Sequence, residues 1–261
     1  MANIIFYFSG TGNCLMAAKQ TAEQLGAAEI VCMATANNYR FTKQYDTIGF
    51  IYPVYFAGLP QNVYSFINNL DFGNNKTAYC YAIASYGGMP GNGLSQFNEL
   101  LLNKHGIKLN YGTTLRMFSN YVIMFNMNRN AAEIIQRSEE ALHLTINEVK
   151  SRAARAVSKS IPLLAWYYRQ KMKAVPGMDK DYNINQNCTG CGICKEVCPV
   201  QNIELAEGRP RFKHHCEQCV ACIQYCPQKA INYKNLTQKR RRYTNPAITC
   251  RDLAEMNRGG R

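Results

Sequence analysis

The chain has 261 residues, of which 47% are hydrophobic, and its mean hydropathy of -0.30 is that of a globular protein, which excludes disorder as a class. Its apolar run at 161–168 is far shorter than the roughly 20 residues of a membrane-spanning helix, so no transmembrane segment is expected. The net charge of +13 is concentrated in residues 151–180 and 234–261, at +6 each, whereas residues 1–150 carry +1 and residues 181–233 are neutral.

Apolar runs alternate with helix-like segments over the first 120 residues. The first run begins without a basic leader or cleavage site, so export is not expected and the predicted location is cytoplasmic. Because βαβ crossovers cover parallel strands on both faces, the alternation predicts a doubly wound, parallel five-stranded α/β sheet. The predicted strands are 4–8, 29–33, 47–54, 77–85 and 108–118, with helices beginning near Asn13, Pro60 and Gly93 and a long helix from Ala131 to about Lys159.

A turn of small polar residues joins the first predicted strand to the first predicted helix. It reads FSGTGN from Phe8 to Asn13. A phosphate monoester needs several donors at one point, and a helix N-terminus supplies free N–H groups and a favourable dipole. Ser9, Thr11 and Asn13 add side-chain donors, and the glycines permit close backbone approach. The dinucleotide-binding and Walker patterns are both absent, which leaves an ordinary strand-to-helix turn as the alternative.

This turn resembles the phosphate loop of the flavodoxins, and the resemblance covers roughly residues 1–155. It implies a flavodoxin-like fold with an FMN whose ring lies at the carboxyl ends of the strands. Two further predicted loops, 53–58 and 85–92, carry aromatic rings suited to stacking on a flavin, although rings that merely pack at strand ends are the alternative. The residues assigned to FMN are Ser9, Gly10, Thr11, Gly12, Asn13, Cys14, Pro53, Val54, Tyr55, Phe56, Ala57, Gly58, Ser85, Tyr86, Gly87, Gly88 and Asn92.

Eight of the twelve cysteines lie between Cys188 and Cys226, in two runs with the spacing C-x2-C-x2-C-x3-C-P. Such clustering indicates metal binding rather than a disulfide scaffold. In a reducing cytosol the thiols stay available as ligands. Zinc modules pair their cysteines across a longer loop, so a third cysteine at this spacing favours [4Fe-4S] clusters.

Residues 181–233 resemble the bacterial-type dicluster ferredoxins, which implies a small α+β domain. In a two-cluster motif the fourth cysteine of each run ligates the cluster of the other run. The pattern therefore predicts two [4Fe-4S] clusters. The predicted ligands are Cys188, Cys191, Cys194 and Cys226 for one cluster, and Cys198, Cys216, Cys219 and Cys222 for the other.

Four cysteines lie outside these runs. Cys14, at the start of a predicted helix, is either a redox-reactive thiol or a small residue packed under the phosphate loop, and packing is the favoured interpretation. Cys32, Cys80 and Cys250 have no partner spacing. The predicted domains are an FMN-binding domain at 1–160, a basic linker at 161–180, a dicluster domain at 181–233 and a basic C-terminal tail at 234–261.

The two modules together predict an electron-transfer protein that relays electrons between two clusters and FMN and interconverts one- and two-electron transfer. Acidic redox proteins are its expected partners, and no nucleic acid is expected. Two alternatives stay open. One is an FMN-dependent reductase that uses ferredoxin-derived electrons on a small organic acceptor. The other is a redox-sensing module whose basic tail binds nucleic acid or an acidic membrane surface.

Overall fold

The computed structural model describes residues 2–26, 28–127 and 130–259, so Met1 and Arg261, at the ends of the predicted domain ranges, lie outside it. Within those residues no helix is long and apolar enough to cross a membrane. The strands are β1 (Asn3–Tyr7), β2 (Ala28–Cys32), β3 (Thr47–Pro53), β4 (Tyr79–Tyr86), β5 (Tyr111–Arg116), β6 (Tyr182–Ile184), β7 (Ile203–Ala206), β8 (Arg209–Phe212) and β9 (Ile231–Tyr233). The α-helices are α1 (Asn13–Gln24), α2 (Gln61–Asn69), α3 (Gly93–His105), α4 (Ala131–Lys150), α5 (Pro162–Ala174), α6 (Ile193–Glu196), α7 (Ala221–Gln224) and α8 (Cys250–Asn257).

The first five strands form one parallel sheet in the order β2-β1-β3-β4-β5. This is the strand order of flavodoxin-like doubly wound folds, so the predicted fold class is confirmed. The strand order reverses between β1 and β3, and a crevice opens beyond their carboxyl ends. The loops after β1 and β3 therefore meet at the place where such folds bind ligands.

Helices cover both faces of the sheet, which explains why β1 is buried along its whole length. On one face Tyr7 packs in a cluster with Leu15 of α1 and Ile146 of α4. On the other face Phe6 packs with Phe66 of α2, their ring centroids 5.0 Å apart. Successive side chains of a strand point to opposite faces, so a strand buried on both must be apolar throughout.

Helix α4 ends at Lys150, nine residues before the predicted end near Lys159. Arg152 adopts a left-handed backbone with φ 53, which a right-handed helix cannot contain. The chain then runs beside β5, where the Arg155 amide donates to the Asn110 carbonyl at 3.0 Å. No glycine or proline occurs between α4 and Pro162, so the sequence contains no strong stop signal.

The segment predicted to be a basic linker is mostly helical, with α5 followed by a 3-10 turn at Val175–Asp181. Asn92 holds the start of α5 through two hydrogen bonds of 2.8 Å to the backbone of Ile161, one donated and one accepted. The Tyr168 hydroxyl donates to the Leu59 carbonyl at 2.7 Å. None of the α5 residues is buried, so these contacts fix its position.

The C-terminal module, which the sequence predicts to hold two clusters and which we call the dicluster module, consists of two antiparallel ribbons, β6 with β9 and β7 with β8. It is an internal repeat, because each ligand-spaced cysteine recurs 28 residues later. The short helix α6 of the first half corresponds to α7 of the second, and β7 corresponds to β9. One apolar cluster that includes Ile203, Ile223 and Ile231 serves both halves.

The predicted basic tail is folded against both modules. In α8, Asp252 forms an ion pair of 2.9 Å with Lys19 of α1, and the Asn257 amide donates to the Val197 carbonyl at 3.1 Å. Thr249 and Asp252 form a capping box at the start of this helix. Helix α8 therefore joins the flavodoxin-like sheet to the dicluster module.

Two of the four consecutive basic residues at 239–242 are engaged inside the fold. Arg240 donates to the Val122 carbonyl at 2.7 Å, and Arg242 donates to the Asn232 side-chain oxygen at 2.8 Å. The other two residues of this run are exposed. Half of the basic run thus stabilises the fold, and the other half faces solvent.

Candidate functional site

The loop after β1 forms the N-terminal end of α1, with Gly12 as the N-cap. The Ser9 hydroxyl oxygen accepts a hydrogen bond from the Gly12 amide at 3.2 Å, and the Thr11 hydroxyl oxygen accepts one from the Asn120 side chain. A hydroxyl that accepts still has its own hydrogen to donate. Two oriented hydroxyl donors therefore lie beside the free N–H groups of α1, an arrangement suited to an anion.

The sequence analysis assigned the Asn13 side chain as a donor to a phosphate, and in the structure this side chain forms hydrogen bonds within the protein. Its amide donates to the Phe118 carbonyl at 3.3 Å, and its oxygen accepts from the Tyr243 hydroxyl at 2.8 Å and from Asn245 at 3.1 Å. The backbone amide of Asn245 also donates to the Thr11 carbonyl at 2.9 Å. Asn13 thus connects the loop to the C-terminal segment. Its partners are 105 to 232 residues away, so no local pattern indicates them.

A cavity of about 730 Å³ lies at the carboxyl edge of the sheet and borders the dicluster module. We call it the carboxyl-edge cavity. The three loops that the sequence assigned to one ligand line it together. Those of the assigned residues that line it are Ser9, Gly10, Thr11, Asn13, Cys14, Pro53, Val54, Tyr55, Phe56, Ala57, Ser85, Tyr86, Gly87 and Gly88.

Gly12, Gly58 and Asn92 are the assigned residues outside this lining. A Cβ on Gly58 would lie 2.3 Å from a ring carbon of Tyr168, so glycine permits the close packing of α5. Asn92 binds Ile161, as described above. Gly58 and Asn92 thus contact α5 and the residue before it rather than forming the cavity surface.

The loop after β3 ends in a strained turn that brings an aromatic ring to the cavity. Phe56 and Ala57 have φ values of 50 and 63, and reciprocal hydrogen bonds of 2.9 Å join Tyr55 to Gly58 across them. Left-handed backbone at both positions favours glycine or asparagine, so phenylalanine and alanine are strained there. The Phe56 ring meets Tyr121 edge-on at 5.8 Å. Strain of this kind concentrates at ligand sites.

The Cys14 thiol lies under the loop after β1, with its sulfur 3.1 Å from the Ser85 hydroxyl. Burial raises its pKa to about 12, and the Ser85 hydrogen bond offsets only part of that effect. The thiol is therefore protonated at neutral pH, which is the packing role favoured from the sequence rather than that of a reactive thiolate.

Sequence reasoning did not assign the rest of the lining. Most of it comes from the loop after β5 (117–125), from α5, and from residues 218–220 of the dicluster module; Met89 and Met178 complete it. The carboxyl-edge rule, applied to the fifth strand, would have indicated the first of these. The other two are distant in the chain and have no local signal. Lys171 of α5 is the one charged side chain among the described residues of the lining.

Four cysteines surround a second, small cavity in the dicluster module: Cys188, Cys191, Cys194 and Cys226, which we call the Cys188 set. The fourth cysteine of the second run thus lies with the first three of the first run. Burial raises the pKa of Cys194 to about 11, and the neighbouring Cys226 contributes to the increase. In the described part of the chain, no three His, Cys, Asp or Glu side chains are gathered tightly enough for a single metal ion.

The remaining cysteines of the two runs form the Cys216 set: Cys216, Cys219, Cys222 and Cys198. Burial raises the pKa values of Cys219 and Cys222 well above the usual range, and the nearby sulfurs of Cys198 and Cys216 raise them further. A bound metal deprotonates such a thiol outright, because its positive charge compensates the thiolate. The donor set therefore fits an iron–sulfur cluster.

Backbone amides donate to the cysteine sulfurs at equivalent places in the two halves of the repeat. Asn202 donates to Cys198 at 3.2 Å, and Ala230 donates to Cys226 at 3.2 Å. Hydrogen bonds to ligand sulfurs are among the factors that set cluster potentials.

The Cys216 set lies against the flavodoxin-like loops, whereas the Cys188 set lies nearer the surface. Cys219 lines the carboxyl-edge cavity, and a Cβ on Gly10 would lie only 2.6 Å from the Cys219 carbonyl oxygen. Glu217 accepts a hydrogen bond of 3.1 Å from the Gln61 amide at the start of α2, and burial raises its pKa to about 7. Cys191, in the other set, is exposed.

Fold and thiol sets together define an iron–sulfur module joined to a flavodoxin-like α/β domain. Residues 180–227 match the 4Fe-4S dicluster domain family. The resemblance of the C-terminal module to dicluster ferredoxins is therefore confirmed. No curated protein matches the chain.

Several solved structures are similar to part of the chain. The Trp repressor binding protein from Bacillus subtilis is 15% identical, with a TM-score of 0.38, and the match covers 60% of this chain and 100% of that one. An FMN-dependent NADH-azoreductase from Bacillus anthracis is 9% identical, with a TM-score of 0.38, over 57% of this chain and 100% of that one. At these scores the likeness carries no weight, and the fold is defined by the strand order.

Proposed function

We propose that the protein transfers electrons between FMN in the carboxyl-edge cavity and two [4Fe-4S] clusters, one in each thiol set. A flavin accepts one or two electrons whereas a cluster passes one at a time, so the combination interconverts the two kinds of transfer. The observation that carries the proposal is the position of Cys219, which belongs to the Cys216 set and also lines the cavity.

The residues of the cavity suit the parts of FMN. The hydroxyls of Ser9 and Thr11 and the N-terminus of α1 offer neutral donors for a phosphate. Tyr55, Phe56 and Tyr86 supply aromatic surface for the ring. The lining is otherwise mostly apolar, which excludes water from the ring.

The two thiol sets suit different partners. The Cys188 set includes the exposed Cys191 and is within reach of an external donor or acceptor, whereas Cys219 of the Cys216 set is buried beside the cavity. The proposed domain division is the one predicted from the sequence, at 1–160, 161–180, 181–233 and 234–261.

An acidic redox protein is the proposed partner. Helix α5 beside the cavity carries the exposed residues Arg169, Lys171 and Lys173, and no acidic residue lies between Pro162 and Ala174. Complementary charge accelerates encounter between redox partners and makes it sensitive to salt.

A second candidate function is reduction of a small organic acceptor at the flavin. It is favoured by large apolar side chains that line the cavity yet remain exposed, namely Met89 at 57%, Met124 at 65% and Phe125 at 43%. Exposed apolar patches mark binding sites. Turnover of such an acceptor by the isolated, reduced protein would distinguish this function from simple electron transfer.

We expect Thr11→Val to lower FMN affinity about tenfold or more, because it removes a charge-assisted hydrogen bond worth roughly 1.5 to 3 kcal/mol. Riboflavin lacks the phosphate, so its affinity should not change. Equilibrium titration of apoprotein with each flavin measures both effects.

Thr35→Val is the matched control, because Thr35 donates to the Cys32 carbonyl and lies outside the cavity lining. Its FMN affinity should equal that of the wild type. Equal FMN affinity for Thr11→Val and the wild type would show that the phosphate does not bind at this loop.

A further inference from the structure

The two halves of the dicluster module differ at the positions where the backbone is left-handed. Gly190 and Gly192 have φ values of 71 and 80, and 28 residues later Gln218 and Val220 have φ values of 54 and 56. Glycine adopts this conformation without strain, whereas other residues do not, and a β-branched side chain is the least suited to it. The second half therefore maintains strain that the first half avoids.

A third pair of equivalent positions also has left-handed backbone and serves as the reference for this comparison. Gln201 and its equivalent Lys229 have φ values of 51 and 49, and both are exposed. Here neither half uses glycine and neither side chain touches the carboxyl-edge cavity. A glycine substitution at one of these positions therefore removes the strain of left-handed backbone without changing the cavity.

The side chains of Gln218 and Val220 are buried and form part of the carboxyl-edge cavity. They are only 1% and 2% exposed, and both line the carboxyl-edge cavity on either side of Cys219. Gly190 and Gly192 line the small cavity of the Cys188 set instead. Of the two halves, only the one that meets the flavodoxin-like loops has residues other than glycine at these two positions.

Gln218 also connects the thiol set to the aromatic lining. Its oxygen accepts hydrogen bonds from the hydroxyls of Tyr121 at 3.4 Å and Tyr182 at 3.3 Å, and its amide lies 3.9 Å from the Cys216 sulfur. The Tyr121 ring in turn contacts Phe56. Gln218 therefore orients an aromatic residue of the cavity.

We propose that Gln218 and Val220 determine flavin binding from the dicluster side: Val220 packs against the flavin ring, and Gln218 is a positioning residue that orients Tyr121. The second half of the repeat is thus specialised for the flavin. This inference rests on the proposed function, because it requires FMN in the carboxyl-edge cavity. Packing within the dicluster core alone is the competing role for Val220, since it also belongs to that apolar cluster.

The test compares Val220→Gly with Gln201→Gly in protein reconstituted with iron, sulfide and flavin. Both substitutions remove left-handed strain, but only the first changes the cavity. We expect Val220→Gly to lower the affinity for FMN and for riboflavin alike, about tenfold, because it removes an apolar contact to the ring they share. Gln201→Gly should bind both flavins as the wild type does. The ring contact is thereby distinguished from the phosphate contact of Thr11, which affects FMN alone.

Iron content is measured in every variant, so that a loss of clusters is not mistaken for a loss of flavin contact. If the Val220→Gly protein has lost iron, the Val220→Ala variant is tested in its place. It should lower the affinities for FMN and riboflavin about threefold. Gln218→Met keeps the side-chain volume and removes the acceptor of Tyr121, and it should lower flavin affinity about fivefold with iron content unchanged.

Wild-type flavin affinity in the Val220 and Gln218 variants, with iron intact, would overturn the inference and leave the proposed function standing. A wild-type protein that binds no flavin would overturn the proposed function itself.

Discussion

Replacing Gly10 by alanine is expected to lower FMN affinity about 5- to 150-fold, an overpacking effect of roughly 1 to 3 kcal/mol. The new Cβ would lie 2.6 Å from the Cys219 carbonyl oxygen and 2.9 Å from the Cys219 Cβ. One of these neighbours is a backbone atom, so the loop after β1 and the dicluster segment must move apart to relieve the clash. Gly10 is buried at this junction, and both of its sides belong to the proposed flavin site.

Gly177→Ala is the matched control for this substitution. Position 177 has no left-handed backbone, and a Cβ there would meet no atom within 4 Å. FMN affinity is measured by titration, and the free energy of unfolding is measured by chemical unfolding. Both should decrease in Gly10→Ala, and neither should decrease in Gly177→Ala. If Gly10→Ala binds FMN as tightly as the wild type, the close contact between the two modules does not exist in solution.

Removing the Cys226 thiol is expected to damage the cluster of the distant first run. In the fold Cys226 lies with Cys188, Cys191 and Cys194, so Cys226→Ala should reduce the iron content from about eight to about four per chain and leave the Cys216 set complete. Cys198→Ala should do the reverse. Paramagnetic spectroscopy of the reduced variants, with signals assigned through Cys191→Ala and Cys219→Ala, tests the assignment.

Cys250→Ala controls for the loss of a cysteine as such, because Cys250 lies in α8, outside both thiol sets. It should keep its full iron content. The comparison is made on variants that still fold, since metal binding and folding of such a module are coupled. If Cys226→Ala lost the same signal as Cys219→Ala, each run would complete its own cluster and the crossed assignment would be wrong.

Patterns that act over short distances made much of this architecture predictable. The five strands follow from apolar runs that must be covered on both faces, as the complete burial of β1 illustrates. The dicluster module follows from the cysteine spacing, which has few other uses. The loops at the carboxyl edge follow from topology, since parallel strands end on the same side of a sheet.

Contacts between distant segments were not predictable. Asn13 was assigned to a phosphate, yet its side chain binds Tyr243 and Asn245 of the C-terminal segment. The run at 239–242 was predicted to belong to a tail, yet Arg240 and Arg242 donate to oxygen atoms inside the fold. The bonds of Asn13 and Arg240 depend on where the chain returns after more than 100 residues, and no local pattern encodes that. Arg242 bonds to a residue only 10 positions away, but no sequence pattern indicates that contact either.

The strained residues were unpredictable for another reason. A positive φ at Phe56 or Val220 contradicts the preference of the residue itself, so reasoning from propensity gives the wrong backbone there. Disagreements of this kind are enriched where a side chain is required for a site, whereas others, such as that at Gln201, lie on the surface. Phe56 and Val220 both line the carboxyl-edge cavity, which agrees with that rule.

The most direct test of the central claim is the cofactor content of the purified, anaerobically reconstituted chain. Flavin released by denaturation, iron and acid-labile sulfide are each determined relative to protein. The proposed function predicts about one FMN, eight iron atoms and eight sulfides per chain. A preparation that holds zinc without flavin or sulfide would contradict it.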